Sequence, residues 1–169
     1  MTQISPMINN DSQTGTGNKP ERSNLSRIDN EIMINAPLRD IFDFVIKPRN
    51  LLQIWPSLIE IDDEQLLPNK GYSARWIYKM AGICLNGKSR CTEVEEYRWF
   101  SVEILGAINS TITWTFRTKD NINTKVTISI QYRVPLSILS RLAEMIIVKI
   151  NEHEAELVLT NLRLRLEKS

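Results

Sequence analysis

The stretch INAPLRDIFDFVIKPRNLLQIWPS, residues 34–57, leads from an alternating segment into two short helical segments. Pro37 suits the first turn of a helix, and apolar residues then recur at helical spacing until a Lys-Pro pair interrupts them. A second helical piece, residues 49–54, ends at a Trp-Pro pair. Because two short helices can turn a corner where one straight helix cannot, this stretch predicts a connection from a first strand to the rest of a sheet.

Alternation of apolar and polar residues predicts strands on both sides of this corner. Before it, Ile28, Ile32 and Ile34 share one face of the first strand. Five further runs follow the corner, at residues 72–80, 88–95, 99–105, 110–117 and 124–134. Each run has one apolar face, which is typical of an antiparallel sheet that buries one side and leaves the other in water.

After Pro135 the apolar period becomes that of a helix and continues nearly to the C-terminus. A helix of about thirty residues would be about 45 Å long, enough to cross a whole sheet. Its predicted inward stripe consists of Leu139, Leu142, Ile146, Ile150, His153, Leu157 and Leu164. These elements predict an α+β domain in which a curved antiparallel sheet of six or seven strands wraps around the long C-terminal helix, with two short helices after strand one.

The composition is that of one globular domain with a polar leading segment. The chain has 169 residues, of which 42% are hydrophobic and 24% charged, as expected for a single folded domain. Residues 1–26 are rich in Ser, Thr, Asn, Gln, Gly and Pro and lack apolar periodicity. We therefore expect a disordered tail over residues 1–26 and a folded domain over residues 27–169.

Charge and residue counts exclude several classes of function. With 21 Lys and Arg against 20 Asp and Glu, there is no net field to attract nucleic acid. The most apolar window, residues 136–150, is interrupted by charges and too short to span a membrane. One histidine and two cysteines are too few for a metal site or a disulfide framework. We expect no cofactor, reduced thiols and, without a recognisable leader peptide, a cytoplasmic protein.

Three groups of motifs carry a family resemblance. They are IDNEIMINAPLRDIFDFV with NLLQIWPS, the hairpin segment KSRCTEVEEYRWF, and ITWTF followed by TKVTISIQYRVP. In their order along the chain they resemble the START-like or SRPBCC superfamily with its helix-grip fold, and more narrowly its polyketide cyclase/dehydrase and lipid-transport branch. The resemblance covers residues 27 to about 166 and implies a deep, mostly apolar cavity between the sheet and the long helix.

That cavity implies a hydrophobic small-molecule ligand such as a lipid, a quinone or a polyketide-like compound. Aromatic residues on inward phases are either core or cavity wall, and together they favour a ring-bearing ligand. Lys149 borders the helical stripe, either as a ligand contact or as a solvated side chain. The candidate ligand-binding residues are Trp76, Tyr78, Ser89, Cys91, Trp114, Phe116, Ile128, Ile130, Tyr132, Ile146, Lys149, Ile150, His153 and Leu157.

The resemblance also leaves an enzyme as the alternative, an aromatase/cyclase or dehydratase acting on a poly-β-keto chain from a polyketide synthase partner. Its proton-transfer groups would be His153, Tyr78 and Glu93, although a core histidine bonded to a neighbouring side chain is the alternative interpretation of His153. In the cyclases that the sequence resembles, a cavity arginine holds substrate oxygens, and Cys91 falls at its position. Strand alternation turns Arg90 outward unless a bulge at the Asn86-Gly87 pair shifts the register.

Two further readings concern the cavity mouth and the absence of a ligand. Trp55 and Pro56 form either one lip of the entrance or a simple corner anchor. A partner-binding adaptor without a ligand would instead have a cavity filled by its own side chains.

Overall fold

The computed structural model describes residues 24–80, 82–106, 109–118, 120, 122–134 and 141–167, with residues 24, 25, 80, 133, 134 and 141–151 described by their backbone only. The expected tail, residues 1–26, lies outside the described residues except for its last three, which belong to the first strand. No helix within these ranges is both long enough and apolar enough to cross a membrane.

Over the described part of the chain, seven strands form one antiparallel sheet and three helices accompany it, as predicted for a helix-grip fold. The sheet order is β1-β7-β6-β5-β4-β3-β2, so the first strand closes next to the last one. The elements in chain order are β1 (Asn24–Ile34), α1 (Leu38–Val45), α2 (Pro48–Leu51), β2 (Leu58–Leu66), β3 (Tyr72–Met80), β4 (Ile83–Glu95), β5 (Trp99–Gly106), β6 (Ser110–Thr118), β7 (Thr124–Val134) and α3 (Arg141–Leu166).

The corner after β1 is built by two prolines and one buried helical face. Pro37 precedes α1, and a second proline opens α2 at its first helical position, where a missing N–H is harmless. α1 buries Ile41, Phe42 and Val45. The ring of Phe42 packs edge-on against Phe116 with ring centroids 5.4 Å apart, so α1 is anchored to the inner face of the sheet.

The inward face of α3 differs from the predicted stripe. Ala155, Val158 and Leu162 are buried, whereas Leu164 is 70% exposed and His153 is also exposed. Leu164 lies nine residues after Ala155, which puts it on about the opposite side of a helix with 3.6 residues per turn. The prediction was wrong at His153 and Leu164, because the second half of α3 carries leucines on both sides and periodicity alone did not choose the buried one. The side chains of the other stripe residues before His153 lie outside the described residues, namely Leu139, Leu142, Ile146 and Ile150.

The β3–β4 hairpin turns at Gly82, whose φ of 83° lies in the left-handed region. The alternative bulge at Asn86 and Gly87 is absent, since these residues pair in register with Ile77 and Trp76. The register of β4 instead shifts further along, between Cys91 and Glu93 on the β5 side. Strand β2 was not among the runs named from the sequence.

Candidate ligand cavity

A cavity of about 180 Å³ lies between α1, α2 and the inner face of strands β2 to β7. Its described lining residues are Val45, Ile46, Pro48, Leu51, Trp55, Leu58, Ile61, Tyr72, Trp76, Tyr78, Leu85, Ser89, Cys91, Phe100, Val102, Ile104, Ser110, Ile112, Trp114, Ile130 and Tyr132. The structure therefore contains unfilled space on the inner face of the sheet. The family resemblance implies a cavity between the sheet and the long helix, and none of the described α3 side chains lines this one.

Small side chains on the inner face of three strands account for this space. Ala74 pairs with Ser89, and Ser89 pairs with Ile104. In the next row Gly87 pairs with Gly106. The row with alanine and serine leaves a hollow where leucine or phenylalanine would fill the layer, whereas the Trp76 ring covers the glycine row.

The other half of the sheet is solid because its inward residues are large. Trp114, Phe116 and Ile128 are each 3% exposed or less. Phe100 stacks with Phe116 at 6.0 Å between ring centroids, and with Trp114 at 6.4 Å. The fold thus combines a close-packed half with a hollow half, and Trp114 and Phe100 form the boundary between them.

Eight of the residues predicted for ligand binding or for the entrance line the cavity. They are Trp55, Trp76, Tyr78, Ser89, Cys91, Trp114, Ile130 and Tyr132. Seven of them sit on strands, where alternation determines which face a side chain takes once the register is known. Their location follows from the structure, while their contact with a ligand remains a prediction.

The other predicted residues lie elsewhere. Phe116 and Ile128 belong to the packed core and do not line the cavity. His153 and Glu93 are exposed on the outer surface, so the proton-transfer set proposed for an enzyme does not converge. Pro56 is also exposed and Leu157 is half-buried. The side chains of Ile146, Lys149 and Ile150 lie outside the described residues.

Cys91, not Arg90, faces the inside of the sheet. Cys91 is 3% exposed, and its Sγ donates a hydrogen bond to the Glu93 carbonyl at 3.6 Å. Burial raises the pKa of the Cys91 thiol to about 11, so it is neutral at physiological pH. The Arg90 side chain is exposed on the opposite face, as strand alternation predicted.

None of the described lining residues carries a charged side chain. Polar side-chain groups among the described lining residues are serine and tyrosine hydroxyls, tryptophan indole N–H groups and the thiol of Cys91. Ser89 donates a long hydrogen bond of 3.4 Å to the carbonyl of Ala74. An ion placed here would lose its hydration without gaining a counter-charge, so the wall favours an uncharged molecule. The described residues also contain no group of three or more potential metal ligands.

A buried glutamate beside the cavity escaped the sequence analysis. Glu154 on α3 is 6% exposed, and its Oε1 accepts the backbone N–H of Ser57 at 3.0 Å. Burial raises the pKa of Glu154, while hydrogen bonding from Ser57 opposes that rise. Asn161 donates a second hydrogen bond from α3 to the carbonyl of Ile54 at 3.0 Å. Together Glu154 and Asn161 hold the segment that places Trp55 against the cavity.

The lining residues from α1 and α2 were also missed. Val45 and Leu51 were recognised as helical, but their face could not be assigned to the cavity before the corner was positioned. Within the strands, Tyr72 and Ile104 share the inward phase of the predicted residues, so the alternation itself contained the signal that would have identified them.

Comparison with known proteins identifies one family and many solved structures with the same fold. A family model described as polyketide cyclase / dehydrase and lipid transport matches residues 26–167. No curated protein shows significant sequence similarity to this chain.

Three solved structures illustrate the shared fold. The Zhui aromatase/cyclase from Streptomyces sp. R1128 has a TM-score of 0.71 at 13% identity, covering 84% of this chain and 93% of that one. A START superfamily protein from Mycobacterium smegmatis has a TM-score of 0.68 at 12% identity, covering 83% and 96%. The major latex-like protein 151 from Panax ginseng has a TM-score of 0.62 at 14% identity, covering 84% and 97%. At these identities the likenesses show the fold alone.

Proposed function

The chain belongs to the polyketide cyclase/dehydrase and lipid transport family, and we propose that it binds an uncharged, hydrophobic, ring-bearing small molecule in its internal cavity. The family membership confirms the resemblance seen in the sequence. The observation that carries the proposal is the cavity wall itself, whose described residues are apolar or aromatic with a few hydroxyls and without charge. Such a wall gains free energy from burying apolar surface and orients the guest through a few polar contacts.

The size of the space favours a compact guest. At about 180 Å³ the cavity exceeds an engineered apolar cavity of about 150 Å³ that accepts benzene. It is smaller than the roughly 300–1,000 Å³ typical of sites for drug-sized ligands. A molecule of one or two rings therefore fits the space better than an extended acyl chain does. The same space argues against the ligand-free adaptor, which requires a cavity filled by side chains.

Thermal stabilisation by a panel of compounds tests the proposal. A neutral two-ring compound such as 2-naphthol should raise the melting temperature progressively as its concentration increases, because it binds the folded state alone. A small neutral quinone should act likewise, whereas palmitate should have a weaker effect because its carboxylate and chain length suit the cavity poorly. If no neutral ring compound shifts the transition at millimolar concentration, the binding proposal fails.

A second candidate is a cyclase or dehydratase acting on a poly-β-keto intermediate delivered by a polyketide synthase partner. It is favoured by the family description and by the fold shared with the Zhui aromatase/cyclase. Since His153 and Glu93 are exposed, the acid/base group left from the sequence set is the Tyr78 hydroxyl. An enzyme of this kind should convert a reactive poly-β-keto thioester to a cyclised product and lose the activity in Tyr78→Phe but not in His153→Ala. If the wild type, Tyr78→Phe and His153→Ala all give the same products as the thioester gives without protein, the enzyme hypothesis is contradicted.

The proposed place of action is the cytoplasm. Cys84 is exposed and Cys91 is buried, and both are free thiols. Free thiols are typical of proteins in reducing compartments.

A further inference from the structure

One row of residues crosses three neighbouring strands on the inner face of the sheet. Trp76 on β3 pairs with Gly87 on β4. Gly87 in turn pairs with Gly106 on β5. A large aromatic residue is therefore followed, in the same row, by two positions without side chains.

The Trp76 indole occupies the space that those two side chains would take. A Cβ built on Gly87 would overlap Cζ2 of Trp76 and come within 2.8 Å of Cε2. A Cβ on Gly106 would lie 2.9 Å from Cη2 and 3.1 Å from Cζ2. The benzene ring of the indole thus covers both glycines, and Trp76 with Gly87 and Gly106 is called the Trp76 platform below.

The glycines are needed here for their missing side chains rather than for their backbone conformation. Among the described glycines, only Gly82 has a φ in the left-handed region. Gly87 and Gly106 lie in ordinary strand pairing, but a Cβ on Gly87 would also overlap the carbonyl oxygen of Leu105, and one on Gly106 would lie 3.1 Å from the carbonyl oxygen of Asn86. The two glycines are therefore needed where both the Trp76 ring and the neighbouring backbone come close, and not for a turn or a bulge.

The Trp76 ring holds this position without a hydrogen bond from its indole N–H to a described residue. Trp76 Nε1 is buried and has no hydrogen-bond partner among the described residues. A buried, unpartnered donor destabilises a fold, and a leucine or a phenylalanine at this position would not carry that penalty. The feature that tryptophan adds is a flat ring wide enough to span two strands, and that ring lines the cavity.

We propose that the Trp76 platform is the ring-selective wall of the cavity, which favours planar aromatic guests over saturated guests of the same size. This inference rests on the proposed function and names the surface that gives it specificity. Planar rings make offset-stacked or edge-on contacts with an indole, and a puckered saturated ring cannot reproduce them. Gly87 and Gly106 determine how far the indole lies from the guest, because a side chain at either position would push the indole into the cavity.

The matched ligands for a test are 2-naphthol and decahydro-2-naphthol, which share a two-ring skeleton and a hydroxyl group but differ in planarity. Affinities of both are measured by titration calorimetry on the full chain. Comparing the ratio of the two affinities between proteins cancels the difference in their hydration. The proteins are the wild type, Trp76→Leu, Trp76→Phe, Gly106→Ala and the control Trp99→Leu, whose indole bonds to Glu95 and does not line the cavity.

The wild type should prefer 2-naphthol, and Trp76→Leu should reduce the preference by about three- to tenfold while still binding the saturated compound. Gly106→Ala should weaken both compounds, and Trp99→Leu should keep the wild-type ratio. Should Trp76→Leu fail to fold, Trp76→Phe serves instead, because a phenyl ring spans less of the glycine pair and should also lower the ratio. An unchanged ratio in the folded Trp76 variant overturns the inference while leaving the proposed function intact. Failure of both compounds to bind the wild type overturns the proposed function as well.

Discussion

The Oε1 atom of Glu154 accepts the backbone N–H of Ser57 at 3.0 Å and so ties α3 to the segment that links α2 with β2. Asn161, seven residues further along the helix, adds a bond to the carbonyl of Ile54. Trp55 lies between these two anchors and lines the cavity. The position of one cavity wall therefore depends on polar contacts between α3 and a loop that is distant in the sequence.

Glu154→Gln should make the protein more stable than the wild type at neutral pH, because the amide can accept the same N–H without a buried charge. Burial raises the pKa of Glu154 above its ordinary value of 4.5, so the folded state holds the proton more tightly than the unfolded chain does. The resulting stabilisation is complete below that ordinary value and is lost as the pH rises through the raised pKa. The free energy of unfolding in urea, measured from pH 4 to pH 8, should show the gap between the variant and the wild type widening with pH.

Glu154→Ala is the matched control for this experiment. It removes the acceptor of the Ser57 N–H and should be about 1–3 kcal/mol less stable than Glu154→Gln at every pH in that range. A gap between Glu154→Gln and the wild type that stays constant with pH would contradict the raised pKa.

The two cysteines should differ sharply in reactivity. With a pKa of about 11, Cys91 is ionised to only about one part in a thousand at pH 8, and the thiolate is the reactive form. Cys84 is exposed. We expect Ellman's reagent to modify one thiol quickly in the native protein and two in denaturant. The quick reaction should vanish in Cys84→Ser and persist in Cys91→Ser. Equal rates for the two thiols would contradict the placement of Cys91.

The observed inward face of α3 predicts a clear ranking of substitutions. Leu162 is fully buried, and Leu162→Ala should cost about 2–5 kcal/mol of unfolding free energy. Leu164→Ala and His153→Ala, on the exposed side, should stay within about 0.5 kcal/mol of the wild type. Urea unfolding of the three variants provides the comparison. If Leu164→Ala loses more unfolding free energy than Leu162→Ala does, Leu164 lies on the buried face of α3, as the sequence predicted.

Strand alternation explains how much of this fold was predictable. The runs over residues 72–134 alternate regularly. The alternation alone therefore predicts the number of these strands, their order along the chain and the inward phase of Trp76 and Tyr132. Strand β2 was missed because consecutive acidic residues and the left-handed Asp63, with a φ of 52°, break its alternation. Its pairing with β3 is likewise irregular between Asp62 and Gln65.

The cavity was harder to predict than the sheet because tertiary contacts decide it. The α3 helix carries apolar residues on two sides, and the choice of face depends on how Ala155 and Val158 pack against the core. Glutamate usually lies at the protein surface. The buried position of Glu154 depends on its contact with Ser57, 97 residues away. The Trp76 platform needed the register of three strands before its two glycines could be seen together.

Filling the cavity should abolish binding without unfolding the protein. Ser89→Leu adds a large side chain to the hollow half of the sheet, and we expect it to bind 2-naphthol at least about tenfold more weakly. Its melting temperature should equal or exceed that of the wild type, whereas overpacking a filled core would cost about 1–3 kcal/mol. Arg90→Leu, on the outer face of the same strand, is the matched control and should bind normally. If Ser89→Leu binds 2-naphthol with wild-type affinity, the binding site does not lie in this cavity.

The most direct measurement is native mass spectrometry of the wild-type protein and Ser89→Leu, each purified from the cells that naturally make it. The account predicts that the wild type carries a single added mass, that of a neutral organic molecule released by organic solvent, and that Ser89→Leu lacks it. Wild-type protein that shows its bare mass alone, under conditions that preserve non-covalent complexes, would contradict the claim that the cavity exists to hold a hydrophobic guest.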